Sequence, residues 1–396
     1  MSAAPSLSRQ GPVPAARGGT CPPPEASPRA PAQAAPRRPE GTAPGRSVQA
    51  EPGAAPPLLE VSDLHVQFRS RRRTVHAVNG VSFAVGEGET VGLVGETGCG
   101  KSATVRAVIG LLKSPGRVTG GSVRLEGTDL VGLPPGQLRR IRGARIGFVP
   151  QNPFGALNPV LRIERQFANV VRAHRRGRRG EIRSTALDML DAVGIADPER
   201  VLRGYAHELS GGMAQRVVIA LAMVLNPRLV VADEPTTGLD LTIQRQILDL
   251  IRDLAETEGR SMLLVTHDVG VVAQYCSRVL VMYAGQVVES GPVRRVLTEP
   301  AHPYTEALLA AVPRRGERLV GAQGTVPTLL ELPPGCFYYD RCQYRSDPRC
   351  ATEAPGLREV GPEHWAAVHY DKGTGIRLPA APTSVAAPSP TSETPT

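Results

Sequence analysis

The run GETGCGKS, from Gly95 to Ser102, carries the most specific chemistry in the sequence. It matches G-x-x-x-x-G-K-S/T and lies between an apolar segment and a helical pattern. Glycines leave backbone N–H groups open to phosphate oxygens, and the following helix directs about half a positive charge at them. We expect Lys101 to reach the β- and γ-phosphates and the Ser102 hydroxyl to ligate Mg²⁺. Cys99 fits better as a small spacer than as a reactive thiol.

Two adjacent carboxylates, Asp233 and Glu234, end the apolar run in RLVVADEP. In open α/β sheets, ligands bind at the carboxyl ends of the strands. We expect Asp233 to hold Mg²⁺, directly or through water, and Glu234 to polarise the water that attacks the γ-phosphate. Together with the glycine-rich loop, this pair predicts a nucleotide hydrolase.

A Ser-Gly-Gly turn opens a further helical pattern in HELSGGMAQRVVIALA, residues 207 to 222. Ser210 can serve simply as the N-cap of that helix. A serine and two unobstructed N–H groups at a helix N-terminus can also form a second phosphate site. Two such sites in one chain would suggest that nucleotide is shared between two copies.

Hydrophobic patterns predict the elements that position these residues. Alternating apolar residues, typical of half-buried antiparallel strands, occur at Leu64, Val66 and Phe68, at Val81, Phe83 and Val85, and at Val123 and Leu125. By contrast, TVGLVG and RLVVADE are continuous apolar runs, as expected for parallel strands covered on both faces by helices. The middle of the chain is therefore predicted to be mixed α/β.

Composition limits the class of protein without choosing a ligand. The chain has 396 residues, 41% of them hydrophobic, and a net charge of +9, which suits nucleic acid, anionic lipid or a polyanionic ligand. Its six cysteines do not resemble the dense framework of a small secreted domain. We find neither a run of roughly 18 apolar residues nor the apolar core of a signal peptide. We therefore expect a soluble chain whose membrane role, if any, comes through a partner.

Both ends of the sequence are predicted to be disordered. Residues 1–57 hold 14 of the 38 prolines and few large apolar side chains, so little apolar surface offsets the entropy of ordering. Residues 371–396 have a similar composition.

The sequence between these tails resembles the ATP-binding-cassette (ABC) ATPases, over roughly residues 58–312. The motifs stand in order: the phosphate loop, PQNP with the glutamine loop at Gln151, the signature LSGGMAQ, LVVADEP, TGLD ending at Asp240, and LLVTHD with His267. The resemblance implies a P-loop NTPase cassette of class α/β, with a mixed central sheet, an antiparallel β-subdomain and an α-helical subdomain at about 152–225. Residues 313–370 would form a small cysteine-containing extension.

The resemblance also implies roles for individual residues. Glu234 would be the catalytic carboxylate, His267 would contact the γ-phosphate, and Gln151 would contact Mg²⁺ or the lytic water. Mg²⁺ would be held by Ser102, Gln151 and Asp233. The nucleotide would be contacted by Phe68, stacked on adenine, and by Gly95, Glu96, Thr97, Gly98, Cys99, Gly100, Lys101, Ser102, Ala103, Ser210, Gly211, Gly212, Gln215 and Asp240.

The family's mechanism implies partners for the chain. Two cassettes, identical or paralogous, would pair head to tail, with ATP between the phosphate loop of one and Ser210 of the other. Two membrane permease subunits would be driven by the pair, and an extracytoplasmic solute-binding protein would act indirectly. No nucleic acid is expected, and the chain would lie on the cytoplasmic face of the membrane.

Finer features resemble the ATPases of dipeptide, oligopeptide and nickel importers, above all QNPFGALNPVLRI and EPAHPYTEALLAAVP. The second stretch has no catalytic chemistry that its residues reveal, and Ala206 stands where this branch usually has proline. An exporter is the alternative within the class. A soluble cassette protein acting on ribosomes or DNA is less well supported, since neither a second cassette nor a long coiled-coil insertion is present.

Three cysteines, Cys336, Cys342 and Cys350, form the pattern C-x5-C-x7-C. This is close to a pattern that binds a [4Fe–4S] cluster through four cysteines in the same branch. Val368 stands where the fourth ligand is expected, with His369 beside it. A three-cysteine cluster, a Cys₃His zinc site and reduced thiols remain alternatives.

Overall fold

The computed structural model describes residues 56–312, 324–345 and 347–369. The predicted disordered tails lie outside these ranges, apart from residues 56 and 57.

The described residues form strands and helices that are interspersed along the chain. The strands are β1 (Leu59–Arg69), β2 (Thr74–Val85), β3 (Thr90–Val94), β4 (Gly116–Leu125), β5 (Thr128–Asp129), β6 (Ile146–Val149), β7 (Leu229–Asp233), β8 (Ser261–Thr266), β9 (Arg278–Tyr283), β10 (Gln286–Pro292), β11 (Leu357–Gly361) and β12 (His364–Ala367). The helices are α1 (Lys101–Val108), α2 (Pro135–Ile141), α3 (Pro153–Ala156), α4 (Ile163–Arg172), α5 (Arg179–Ala192), α6 (Pro198–Arg203), α7 (Gly211–Met223), α8 (Leu241–Thr257), α9 (Val269–Tyr275), α10 (Val293–Thr298), α11 (Pro303–Ala310) and α12 (Arg349–Thr352).

The alternating apolar segments form an antiparallel sheet, as predicted. Its strand order is β2-β1-β4-β5, and β1 pairs with both β2 and β4. Leu64 and Val66 are fully buried on one face of β1, whereas Phe68, at the open end of the strand, is only half-buried. Alternation therefore identified the buried face because successive side chains of a strand point to opposite sides.

The continuous apolar runs form the centre of a second, larger sheet with the order β11-β12-β10-β9-β3-β8-β7-β6. The five strands from β9 to β6 are mutually parallel. All five residues of β7 are buried, as are all six of β8, so these strands are covered on both faces. The predicted mixed α/β class is confirmed.

Helices α4 to α7, in the region where a helical subdomain is predicted, contribute to one apolar cluster that also includes residues of the main sheet. Phe167 of α4, Leu190 of α5 and Val217 of α7 are fully buried in one cluster with Leu202 of α6. Helix α7 ends at Met223, four residues before Pro227. Across the described ranges, no helix is both long and apolar enough to cross a membrane.

Helix α1, by contrast, is shorter than its apolar spacing indicates. The pattern continues to Leu112, yet the helix ends at Val108. Gly110 follows in the left-handed region with φ 64°, which terminates helices readily because glycine has no Cβ to clash.

The cysteine-containing extension continues the main sheet. Strand β12 pairs antiparallel with β10, where Ser290 lies opposite Trp365. A fully buried carboxylate on β10, Glu289, accepts the Ala301 and His302 N–H groups at 2.7 and 2.8 Å and lies 2.7 Å from Nε2 of His364 in β12. One buried carboxylate thus connects the AHPYT segment to the extension.

Candidate functional site: a nucleotide site at the strand ends

The glycine-rich loop follows β3 and passes against the backbone of neighbouring strands. A Cβ added at Gly95 would lie 2.1 Å from the Met282 carbonyl oxygen. At Gly100, which precedes α1 with φ 109°, an added Cβ would lie 2.4 Å from the Ala77 carbonyl oxygen. Both positions require glycine, since real Cβ atoms do not approach backbone oxygen so closely.

Lys101 and Ser102, which open α1, lie over the carboxyl end of the sheet. The nearly buried Lys101 ammonium donates to the carbonyl oxygens of Gly95 at 2.8 Å and Glu96 at 3.0 Å. The Ser102 hydroxyl donates to Oδ1 of Asp233 at 3.1 Å. Hydroxyl and carboxylate oxygens are ligands that Mg²⁺ prefers, so this pair fits the predicted metal position.

Burial raises the pKa of Asp233 above its ordinary value, and the hydrogen bond from Ser102 opposes that rise. A divalent cation beside the carboxylate would favour its ionised form. The raised pKa is therefore consistent with a carboxylate that needs a nearby positive charge.

Glu234 is the point at which several predicted site residues meet. Its Oε2 accepts hydrogen bonds from Nε2 of Gln151 at 3.0 Å and from the Thr237 hydroxyl at 3.1 Å. The same oxygen lies 3.4 Å from Nδ1 of His267, and Oε1 lies 3.9 Å from Nζ of Lys101. The structure thus brings Gln151, His267 and Lys101, which are far from Glu234 in sequence, together around its carboxylate.

Strand order explains this convergence. The phosphate loop follows β3, His267 follows β8, Glu234 follows β7, and Gln151 comes soon after β6. These four strands are adjacent and parallel, so their carboxyl ends lie along one edge of the sheet.

The backbone at Glu234 is in the left-handed region, with φ 47°. Its N–H donates to the Val265 carbonyl at 2.9 Å, which continues the pairing between β7 and β8 by one residue. A non-glycine residue in this region costs on the order of 1 kcal/mol, and such strain is concentrated at functional sites. No sequence signal marks this conformation, which turns the carboxylate toward Gln151 and His267.

Ser210 and Asp240 form a separate, exposed face. The Ser210 hydroxyl accepts the Met213 N–H at 3.3 Å and caps α7, while Asp240 accepts the Ile243 N–H at 3.0 Å and caps α8. The two helix starts touch: a Cβ added at Gly212 would lie 3.2 Å from Cγ2 of Ile243. The signature turn and the TGLD loop therefore share one surface.

Some residues expected at the nucleotide are placed in the interior. Gln215 is only 1% exposed inside the helical subdomain, and its Nε2 has no hydrogen-bond partner among the described residues. This position does not support direct contact with nucleotide. Cys99 is fully buried, and burial raises the pKa of its thiol, so it serves as a spacer.

Phe68, expected to stack on adenine, lies near the end of β1, opposite Gly116 of β4. A Cβ added at Gly116 would lie 2.7 Å from Cε1 of the ring, so the ring covers this glycine. The side chain is half-buried, which leaves part of the ring exposed. Its adenine contact stays a prediction.

Tyr304, in the HPYT segment, is a contact of the phosphate loop that sequence reasoning missed. Its buried hydroxyl accepts the Glu96 N–H at 2.8 Å. Its ring packs against Tyr283 and Tyr338, with centroids 4.6 and 5.6 Å apart. The unusual EPAHPYTEALLAAVP run was the available signal, but nothing in it reveals what the tyrosine contacts.

The three cysteines of the extension lie near one another. Burial, chiefly, raises the pKa of Cys336 to about 12, and Cys342 and Cys350 add to the rise. Even so, no group of three or more histidine, cysteine, aspartate or glutamate side chains in the described ranges is arranged to hold a metal ion. Val368 is buried and apolar, and Nε2 of His369 lies 2.9 Å from the Glu353 carbonyl oxygen. These positions do not fit the predicted cluster or zinc site.

This two-sheet fold and its site define the ABC class of ATPases. The defining features are the glycine-rich phosphate loop, the carboxylate pair at a strand end, and the glutamine, histidine and signature positions. Residues 78–237 match the family model described as ABC transporter. Residues 288–350 match the model described as the C-terminal region of oligopeptide/dipeptide transporters.

Curated relatives match over most of this chain. A probable peptide ABC transporter ATP-binding protein of Sinorhizobium fredii is 46% identical, over 78% of this chain and 94% of its own length. An oligopeptide transport ATP-binding protein of Bacillus subtilis is 44% identical, over 76% of this chain and 92% of its own length. The chain belongs to the family of ABC transporter ATP-binding proteins, in the branch with the oligopeptide/dipeptide C-terminal region.

Solved structures agree with this assignment. The dimeric structure of a bacterial ABC transporter cassette matches with a TM-score of 0.54 at 29% identity, over 60% of this chain and 99% of that one. A cassette of a Clostridium perfringens transporter matches with a TM-score of 0.52 at 27% identity, over 61% of this chain and 91% of that one. The chain is therefore an ATPase of this family that works with ATP and Mg²⁺.

Proposed function

We propose that this chain is the ATP-hydrolysing subunit that energises an ABC importer for dipeptides or oligopeptides, or for a similar small solute such as nickel. The proposal that the chain hydrolyses ATP rests on one observation, the convergence of Gln151, His267 and Lys101 on Glu234. The match of residues 288–350 to the oligopeptide/dipeptide transporter region, and the names of the relatives, support peptide import.

The proposed chemistry assigns one task to each polar group. Lys101 and the loop N–H groups would bind the β- and γ-phosphates, and Ser102 with Asp233 would hold Mg²⁺, which when bound would supply positive charge against the phosphates. Glu234 accepts a proton from the attacking water as general base. Gln151 and His267, both within reach of Oε2, orient that carboxylate toward the γ-phosphate side.

We further propose that the complete site forms between two cassettes. Ser210 and Asp240 are exposed on one face, where Leu241 is 84% exposed. A large apolar side chain so exposed, next to a second phosphate-binding helix end, is typical of an interaction surface. The partner would be a second copy or a paralogous cassette, bound head to tail.

A second exposed apolar group is a candidate contact for the permease. Phe154 of α3 is 44% exposed and Val160 is 77% exposed, both shortly after Gln151. A permease segment docked here would lie within a few residues of the glutamine loop, and so would communicate with Glu234. The chain would then act at the cytoplasmic face of the membrane, as a peripheral subunit of two permeases served by a solute-binding protein.

Transport in proteoliposomes tests the proposal. The chain is reconstituted with permease subunits and a solute-binding protein of an oligopeptide importer from the same organism, and ATP-dependent uptake of a labelled dipeptide and oligopeptide is measured. Uptake by the unmodified chain that is lost in the Lys101→Ala variant supports import. Movement in the opposite direction would indicate an exporter, and ATPase stimulation by nucleic acid without any transport would indicate a soluble cassette protein.

Metal binding by the three cysteines is predicted from their spacing but is not supported by the geometry of the described residues, and elemental analysis tests it directly. Iron, zinc and acid-labile sulfide are determined on protein purified without oxygen. Iron together with sulfide would support a cluster, and zinc alone a Cys₃His site. Absence of all three would leave reduced thiols.

A further inference from the structure

The phosphate loop carries a carboxylate, Glu96, that is paired with an arginine from the far end of the chain. Nη1 of Arg341 donates to Oε2 of Glu96 at 3.0 Å, and Nη2 donates to Oε1 at 2.9 Å. The Arg341 side chain is 4% exposed and that of Glu96 is 27% exposed. Such a two-point contact between planar groups fixes the orientation of the Glu96 carboxylate and also places a positive charge against it.

Neighbouring groups hold the arginine in place. Its guanidinium lies over the rings of Tyr283 and Tyr338, 5.5 and 5.6 Å from their centroids. Nη1 also lies 3.4 Å from the Tyr283 hydroxyl. These rings belong to the aromatic cluster that includes Tyr304, whose hydroxyl accepts the Glu96 N–H. The backbone and the side chain of Glu96 are therefore both held by residues after the signature and acidic-strand motifs.

Electrostatics gives this contact a consequence for nucleotide binding. A triphosphate bound by the loop brings several negative charges close to the Glu96 carboxylate, and like charges repel strongly where water is partly excluded. The Arg341 guanidinium neutralises that carboxylate. Removing one partner of a mostly buried, hydrogen-bonded charge pair leaves the other charge unpaired.

We propose that Arg341 is a positioning residue for the ATP site: by pairing with Glu96 it holds the phosphate loop in its binding conformation and removes a negative charge from the triphosphate's surroundings. The extension is thereby part of the nucleotide site. Cys336, Cys342 and Cys350 lie in the same extension as Arg341. A conformational change in the extension would therefore affect the phosphate loop through the Arg341–Glu96 pair. The inference rests on the proposed function, because it concerns the same ATP site.

Equilibrium binding of a fluorescent ATP analogue tests the proposal on the full chain in four forms: unmodified, Arg341→Gln, Glu96→Gln and the double variant. Arg341→Gln is expected to weaken binding about tenfold, which corresponds to losing one well-placed charge contact. In a Glu96→Gln background, the same Arg341→Gln change is expected to weaken binding less than threefold, because no carboxylate remains to be neutralised. In steady-state assays the loss should fall on KM for ATP rather than on kcat.

Arg345→Gln is the matched control. Arg345 is exposed on the same segment and lies over the Tyr339 ring, with 5.8 Å to the centroid. The substitution removes the same charge from the same segment and should leave ATP affinity within twofold of the unmodified chain. If Arg341→Gln lowers the melting temperature too far for binding measurements, Arg341→Lys keeps the charge but loses the two-point contact, and its coupling to Glu96→Gln is measured instead.

Two results would overturn the inference. Unchanged affinity in Arg341→Gln would show that the pair does not support the loop. Equal loss in the unmodified and Glu96→Gln backgrounds would show that Arg341 acts only on general stability. Failure of the proposed function is distinguishable, since it would appear as no ATP binding by the unmodified chain, or as full binding by Lys101→Ala.

Discussion

Glu234 shows how much of the site's chemistry depends on one side chain's surroundings. Gln151, Thr237 and His267 all reach the same carboxylate oxygen, and Lys101 lies near the other. The carboxylate is therefore oriented before any substrate arrives. Orientation of this kind contributes to rate because the reacting group has little freedom left to lose.

Replacing Glu234 with glutamine is expected to keep nucleotide binding and remove general-base help. The ATPase rate should fall about 10²- to 10⁴-fold, and the chain should accumulate as an ATP-bound closed dimer. Phosphate release and size-exclusion chromatography with light scattering measure the two effects. Glu258→Gln, at an exposed glutamate that contacts Asn226, is the control and should retain the rate. Hydrolysis by Glu234→Gln at the unmodified rate would show that Glu234 is not the base.

Gly100→Ala tests the close approach in the phosphate loop. The new methyl group would lie 2.4 Å from the Ala77 carbonyl oxygen at a residue with φ 109°, so the loop would have to move. We expect ATP binding to be lost and the melting temperature to fall. Gly136→Ala, in helix α2 with nothing within 4 Å of the new Cβ, should leave both unchanged. Tight ATP binding by Gly100→Ala would contradict the argument.

Helix α11 links the HPYT segment to the phosphate loop at the scale of elements. Nδ1 of His302 accepts the Tyr304 N–H at 3.0 Å and caps the helix, which sets the position of the Tyr304 hydroxyl against Glu96. The role of this segment is thus structural support of the site. Its residues could be recognised in the sequence as unusual, but their contacts depend on where β10 and the extension place them.

The cap makes stability depend on pH. Burial lowers the pKa of His302 from 6.5 to about 4, and attraction to Glu289 only partly opposes this. Below about pH 6.5 the unfolded chain binds a proton that the folded chain does not bind until about pH 4. The free energy of unfolding should therefore fall as pH is lowered through this window, by about 2 kcal/mol between pH 7 and pH 5.

Denaturant unfolding at the two pH values checks this expectation. His302→Asn keeps an acceptor for the Tyr304 N–H but cannot titrate, so it should lose about 2 kcal/mol less than the unmodified chain on going from pH 7 to pH 5. The exposed His207, changed to Asn, is the control and should behave as the unmodified chain does. The same pH dependence in His302→Asn would mean that His302 is not the responsible group.

At the scale of the whole molecule, the exposed face around Ser210 and Asp240 is the surface where we propose that a second cassette binds. Leu241, 84% exposed, lies on that face directly after Asp240. In a symmetric dimer each change is made twice, and burial of one leucine contributes about 1.5–3 kcal/mol. Dimer formation should therefore be sensitive to this position.

Leu241→Asp in the Glu234→Gln background is expected to prevent the ATP-induced dimer. Light scattering after size-exclusion chromatography, with and without ATP, gives the mass. Val160→Asp is the matched control: Val160 is 77% exposed, but lies near the proposed permease contact, so the dimer should persist. A dimer of unchanged affinity in Leu241→Asp would place the cassette interface elsewhere.

The sequence by itself determined the class of chemistry and most of the local structure. Hydrophobic alternation predicted β1, β2 and β4, and continuous apolar runs predicted β3 and β7, because burial on one or two faces leaves a direct pattern in the residues. The phosphate loop and the carboxylate pair could be interpreted because phosphate and Mg²⁺ restrict which residue types can serve.

Only the tertiary structure decided which of these residues meet. Strands β3, β8, β7 and β6 are neighbours in an order different from their order in the chain, and this order brings Gln151, Glu234 and His267 together. The contacts of Tyr304 and Arg341 with Glu96 arise in the same way, across more than 200 positions of sequence. Local patterns record the burial of each segment, whereas strand order and long-range pairing are set by how the segments pack against one another.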